Sequence, residues 1–152
     1  MKRKDKEITE MHDIEEILDQ ALIMRIAMVH GNEPYLVPVN FAYRDKTIYL
    51  HSASEGMKID ILRTNPQVCF EVTVDEELVR SEKPCGFGMR YRSVIGTGNA
   101  WFIEEPDTKR QALGMIAEKY AGSSEGIPES EMKGVAVIRI DIVSLNGKKS
   151  GY

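Results

Sequence analysis

Cysteine is scarce in this chain: Cys69 and Cys85 are the only two among 152 residues. Two cysteines cannot build a disulfide framework, and without a Cys-x-x-Cys the zinc and redox-pair readings lose their ligand spacing. Cys69, in the strand-like run "QVCFEVTV", reads as a small buried apolar residue, and Cys85 as part of the loop "EKPCGFGM". No apolar run is long enough to cross a bilayer. The opening "MKRKDKEITE" starts basic, but acidic and polar residues stand where the apolar part of a signal peptide would follow, so a cytoplasmic protein is expected. A basic face is missing as well. Net charge is -4 and the lysines and arginines are scattered, which argues against a nucleic-acid binder. Phosphate-loop, His-Glu-x-x-His and Gly-x-Ser-x-Gly motifs are absent. The "GTG" at 96–98 lacks the third glycine of a dinucleotide fingerprint and runs on into the strand-like "NAWFI", which excludes a Rossmann site.

What remains is an ordinary globular composition, 42% hydrophobic and 29% charged, on a chain of the length of one domain, 1–152, with one core. "DIEEILDQALI" places Ile14, Ile17, Leu18, Ala21 and Leu22 at helical spacing. "MRIAMVH", "YLVPVNFAYRD", "KTIYLHSA", "QVCFEVTVDE", "MRYRSVIGTGNAWFI" and "GVAVIRIDIVSL" read as six strands. A short helix is expected from about Glu55 to Thr64, and "PDTKRQALGMIAEKYAG" carries proline at its start and glycine at its end as a helix should. The segments 77–88 and 123–130 read as loops. Strands that follow one another without intervening helices favour an antiparallel barrel with peripheral helices over a parallel sheet.

One junction is chemically dense. In "HSASEGMK", residues 51–58, a helix N-terminus would present free N–H groups and the positive end of its dipole. Ser52 and Ser54 add hydroxyls, Gly56 lets the backbone approach closely, and Lys58 adds a full charge, together the parts a phosphate monoester needs. The plainer reading has equal standing: Ser54 as an N-cap and Lys58 as a solvated helix lysine. His51 ends the preceding strand, with no carboxylate directly beside it in sequence to orient it. Arg25, and Arg90 with Arg92 on one face of "MRYRS", are further cations that would serve an anion if they converge with Lys58.

The ordered set "MRIAMV", "PYLVPVNFAYRDKTIYLHSASEGMKIDILRTNPQVCFEV" and "CGFGMRYRSVIGTGNAWFIE" resembles the pyridoxamine 5'-phosphate oxidase-like flavoproteins, and within them the nitroimidazole-resistance group. The resemblance runs from about residue 8 to 149. It implies a mainly β fold with peripheral helices, an antiparallel Greek-key split β-barrel, that pairs into a homodimer with FMN between subunits. It places Ser52, Met57 and Lys58 at the flavin phosphate, with Met57 standing where the oxidases proper carry an arginine. Arg25, Ile26 and Ala27 match the strand along the cofactor, and Pro38, Val39 and Asn40 the strand whose backbone faces the ring. Arg92 and Ser93 match positions near the cofactor often given by the second chain, and His51 a histidine close to flavin and substrate. The tail "SLNGKKSGY" lacks the arginines that grip the substrate phosphate in true oxidases, so oxidation of pyridoxamine phosphate is not expected. The reading that follows is an FMN-dependent reductase of a small electron-poor compound, with His51 as a proton donor. The alternative is a non-enzymatic binder of flavin or haem, since related barrels also use haem or a deazaflavin.

Overall fold

Alternating side chains set the barrel wall. In β5 (Thr47–Ala53), Ile48 and Leu50 are fully buried while Thr47, Tyr49 and His51 point outward. β2 (Met24–His30) buries Met24, Ile26 and Met28 in the same way. The computed structural model, which describes residues 3–124 and 128–152, arranges the strands in the order β3-β2-β6-β7-β8-β5-β4, all neighbours antiparallel. The flanking strands are β6 (Gln67–Val79), β7 (Gly88–Phe102) and β8 (Val135–Ser150), and a two-residue β1 (Glu7–Ile8) pairs with the end of β8. Helix α1 (Met11–Gln20) buries Ile14, Ile17 and Leu18, and α3 (Pro106–Ala121) buries Ala112, Gly114 and Ile116 beside β5. A four-residue α4 (Glu129–Met132) precedes β8. The expected antiparallel barrel with peripheral helices is what forms.

Several local expectations are corrected. The run read as one strand over 35–45 is two, β3 (Glu33–Val39) and β4 (Phe41–Arg44), and they stand at opposite ends of the strand order. The break at Asn40 is the split of the barrel, one continuous run joining its two edges. Pro34 and Pro38 suit β3 to an edge, because neither has an N–H to offer a further strand. Across the split, the Tyr120 hydroxyl donates to Leu22 O (2.6 Å) and accepts from Phe41 N (3.0 Å), tying α3 to both flanks. Cys69 is exposed, not buried: the register sets it opposite Ala27 and Thr97 on the outer face, while Val68 and Phe70 fill the core. Residues 77–79 and Gly88, read as loop, pair with one another and with Met89 and Arg90 as the base of a hairpin arm. The loop expected over 123–130 falls partly outside the described residues.

Lys119 offers a check on this packing. Its Nζ donates to Leu18 O (2.9 Å) and lies 3.8 Å from the centre of the Phe41 ring, and burial lowers its pKa from 10.5 to about 8 against the opposing pull of Asp19. The unfolded chain therefore holds this proton to higher pH than the folded one. Between pH 8 and 10.5 unfolding takes up a proton, so this group's contribution to stability rises with pH across that window. Urea midpoints measured from pH 7.5 to 10.5 should show that rise in the parent protein and a flatter profile in Lys119→Met. Parallel profiles would mean that Lys119 is not desolvated.

Candidate functional site

The strand–helix corner is not a turn capped by a side chain. Helix α2 (Met57–Thr64) begins two residues later than expected, with Gly56 as N-cap at φ +120. No side chain caps it, so Ser54 is not the cap of the plainer reading. The Gly56 carbonyl accepts from the amides of Ile59 (2.8 Å) and Asp60 (3.1 Å), and among the described residues the Met57 and Lys58 amides have no acceptor. A Cβ on Gly56 would meet nothing within 4 Å, so the surface beside the first turn is open. Only glycine holds that φ without strain.

Lys58 is half-buried, and desolvation lowers its pKa. No carboxylate pairs with it among the described residues. His51 keeps an exposed edge, yet surrounding protein lowers its pKa, with the charge of Lys58 adding to the effect. The two side chains are thus within electrostatic reach, and burial and the Lys58 charge both favour the neutral imidazole. An uncapped helix start, two amides without an acceptor and a partly desolvated ammonium without a carboxylate partner, all among the described residues, are the donors an anion would need. A phosphate monoester fits that donor set. Ser52 is half-buried at the end of β5, and Met57 is 54% exposed beside the free amides.

The other expected residues fall into two groups. Arg25 and Pro38 face each other across β2 and β3, both exposed, and Asn40 follows at the split. Arg25 is paired with Glu71 (3.2 Å). Ala27 lies two residues along the same outer face, half-buried. Ile26 and Val39 turn their side chains into the core at 0% and 8% exposure, leaving only backbone for a ligand. Helix α2 packs on β2, the strand that carries Arg25, Ile26 and Ala27.

Arg92 and Ser93 do not join them within one chain. Arg92 stands ten positions before Phe102 on β7, roughly 33 Å of extended strand. Phe102 is the residue near α2, its ring 5.5 Å from the Arg63 guanidinium. Arg92 is instead held at the far end by Asp75 (2.6 Å), Gln20 (3.0 Å) and Glu16 (3.4 Å), and the two carboxylates, Asp75 first, raise its pKa. Arg90 pairs with Glu77 (3.4 Å), so the two arginines do not converge on Lys58. Asp75, in left-handed conformation at φ +58 where the β6–β7 register shifts, was not legible as Arg92's holder. Nothing in "TVDEE" marks a bulge. A groove of about 620 Å³ surrounds Arg92, lined by Glu7, Asp13, Asp75, Lys149 and Tyr152. Ser93 is the one buried polar residue found among the described residues, 7% exposed. A second groove, about 560 Å³, opens on the outer sheet face between Val29, Cys69, Thr97 and Val143. Among the described residues no three His, Cys, Asp or Glu side chains form a metal cluster, and no helix is long and apolar enough to cross a membrane.

Comparison with known proteins shows the fold and the family. Among solved structures, a candidate 5-nitroimidazole antibiotic resistance protein from Bacteroides thetaiotaomicron is 32% identical, over 94% of this chain and 86% of its own, with a TM-score of 0.84. An FAD- and haem-binding protein from Mycobacterium smegmatis superposes at 0.85 with 19% identity, over 97% and 74% of the two chains. A flavocytochrome from Azotobacter vinelandii superposes at 0.84 with 18% identity, over 100% and 72%. At that identity the last two speak for the fold alone. An uncharacterised protein of Rhizobium meliloti is 34% identical over 50 residues, so the chain spans about a third of that relative's length, 32%. The family model described as pyridoxamine 5'-phosphate oxidase matches residues 10–149. The chain belongs to the pyridoxamine 5'-phosphate oxidase family.

Proposed function

We propose that this protein is an FMN-dependent oxidoreductase that reduces a small, planar, electron-poor organic compound, and that it works as a homodimer with the flavin between subunits. The observation that carries the reading is the uncapped start of α2 beside an unpaired, partly buried Lys58. Lys58 and the free amides of Met57 and Lys58 hold the phosphate, with Ser52 adding a hydroxyl. The backbone at Pro38 and Asn40, with Arg25 opposite, borders the ring. FMN supplies reversible one- and two-electron transfer when bound. The family likeness to a nitroimidazole-resistance protein at 32% identity favours nitro compounds as the acceptor class. A nicotinamide is the expected electron source.

His51 enters as a neutral imidazole. With its pKa lowered, it presents one N–H and one acceptor at neutral pH and is a hydrogen-bonding partner to substrate before it is a store of protons. A phosphate dianion beside Lys58 would offset that cation and move His51 back toward its ordinary value.

Two observations support the second subunit. Arg92 and Ser93 lie too far along β7 to reach Lys58 in the same chain. The outer sheet face also leaves Val29, Leu36 and Val143 exposed around the groove at Cys69.

The test is the absorption spectrum of the purified protein, followed by mass identification of what heat releases. A flavin spectrum and released FMN are expected. A Soret band, or a deazaflavin or FAD in the supernatant, overturns the FMN assignment. His51→Ala then tests the substrate role. With FMN still bound, reduction of a nitroimidazole by pre-reduced protein should slow by about tenfold, the loss of one hydrogen bond to substrate. An unchanged rate removes His51 from the reaction.

A further inference from the structure

We infer that Lys119 is a covalent carbonyl-binding site, at which a small uncharged aldehyde forms a reversible imine with the ε-amine in the groove between α1, β4 and α3. Lys119 is half-buried near the end of α3. Its Nζ donates to Leu18 O (2.9 Å), one of the last carbonyls of α1, and rests 3.8 Å from the centre of the Phe41 ring. Among the described residues no carboxylate forms an ion pair with it. Its remaining side meets a cavity of about 310 Å³, lined also by Asp19, Tyr43, Arg44, Met115 and Glu118. That cavity shares Arg44, Met115 and Glu118 with an outer groove of about 540 Å³. None of residues 51–58 lines either space, so the strand–helix corner takes no part.

The chemistry follows from what faces the cavity. Imine formation needs an unprotonated amine, and a lysine out of water supplies one. Burial brings Lys119 down to about 8 against the pull of Asp19, and burial raises Asp19 in turn. An amine and a carboxyl in one cavity, each shifted toward neutrality, make an acid–base pair. The ammonium passes a proton to Asp19, and the freed lone pair bonds to the aldehyde carbon while the C=O π pair moves to oxygen. A proton moves from nitrogen to that oxygen. Asp19 then gives its proton to the hydroxyl, which leaves as water as the C=N bond closes. One ammonium and one aldehyde become one protonated imine and one water, with no oxidant or reductant consumed. The protonated imine keeps one N–H for Leu18 O and its positive charge over the Phe41 ring. A carbamate would set an anion against both. Arg44 and Glu118 pair with each other (3.4 Å), so the groove asks for no net charge on its ligand.

The experiment incubates the purified protein at pH 7 with propanal and excess cyanoborohydride, which reduces an imine in place to propyl-lysine, and locates the label by digestion and mass spectrometry. Lys119 should be labelled at least tenfold faster than the exposed Lys46. At pH 7 about a tenth of an amine with a pKa of about 8 is free, against less than about a thousandth of an ordinary lysine. Labelling of Lys119 at the rate of Lys46 or below overturns the inference. In Asp19→Asn the Lys119 label should form about tenfold more slowly. General acid–base help is worth about a hundredfold at its low end, and loss of the Asp19 charge offsets part of that by freeing more amine. An equal or faster label in Asp19→Asn overturns the acid–base pair, because a charge effect by itself would speed the reaction.

Discussion

Replacing Lys58 with alanine should weaken FMN binding by about a hundredfold, an effect of roughly 2–3 kcal/mol, while leaving riboflavin binding nearly unchanged. The size follows from the environment of the ammonium. Lys58 is already partly desolvated, as its lowered pKa records, and among the described residues it has no counter-ion. A phosphate would supply that counter-ion where water screens it poorly, so the pair is worth more than an exposed salt bridge. Riboflavin has the ring and side chain of FMN without the phosphate, so the ratio of the two affinities isolates the corner. Equal losses for both ligands would mean that Lys58 supports the fold or the ring. No loss for either would place the phosphate elsewhere. The converse change, Met57→Arg, adds a cation beside the free amides and should tighten FMN but not riboflavin.

The same pair sets the pH limits of the grip. The phosphate dianion needs pH above about 6. The Lys58 ammonium is lost below the usual lysine range, because its pKa is lowered by desolvation. FMN affinity should therefore peak between these limits and fall on both sides, with the alkaline fall absent in Lys58→Ala.

The barrel and the corner were legible in the sequence for different reasons. "TIYLHSA" and "MRIAMVH" alternate cleanly because one side of each strand is core, and that side is fully buried in Ile26, Ile48 and Leu50. The corner was legible because its residue types have few other uses together, and Gly56 does hold a φ that only glycine takes easily. Asn40 was not legible as a break: "YLVPVNFAYRD" keeps strand propensity throughout, and only the tertiary register sends its halves to opposite edges. Cys69 failed for another reason. Its residue type outweighed the pattern: Gln67, Glu71 and Thr73 alternate with the buried Val68, Phe70, Val72 and Val74, and that alternation puts Cys69 on the outer face. Arg92's partners come from α1 and from a bulge at Asp75, 72 and 17 residues away in the chain, beyond any local pattern.

The "GTG" that first suggested a nucleotide site has a packing explanation, and it carries the largest expected stability effect. A Cβ on Gly98 would lie 2.6 Å from Ile140 Cγ2 and 2.7 Å from Asp141 O. The Ile140 side chain is fully buried and the carbonyl belongs to the neighbouring strand, so neither can yield as a surface side chain would. Gly98 also sits at the register shift between β7 and β8, where the strands need the close approach that glycine permits. Gly98→Ala should therefore cost about 3 kcal/mol, the upper end of overpacking penalties, and lower Tm by roughly 6–12 °C for a chain of this size. Gly88→Ala is the internal control, because its Cβ would meet nothing nearer than Val79 Cβ at 3.8 Å, and it should melt with the parent. If Gly98→Ala melts within 2 °C of Gly88→Ala, the bulge relaxes around a methyl group. Gly98 would then be free of a packing role, and the close approach of β7 to β8 would not be what keeps it in the barrel wall.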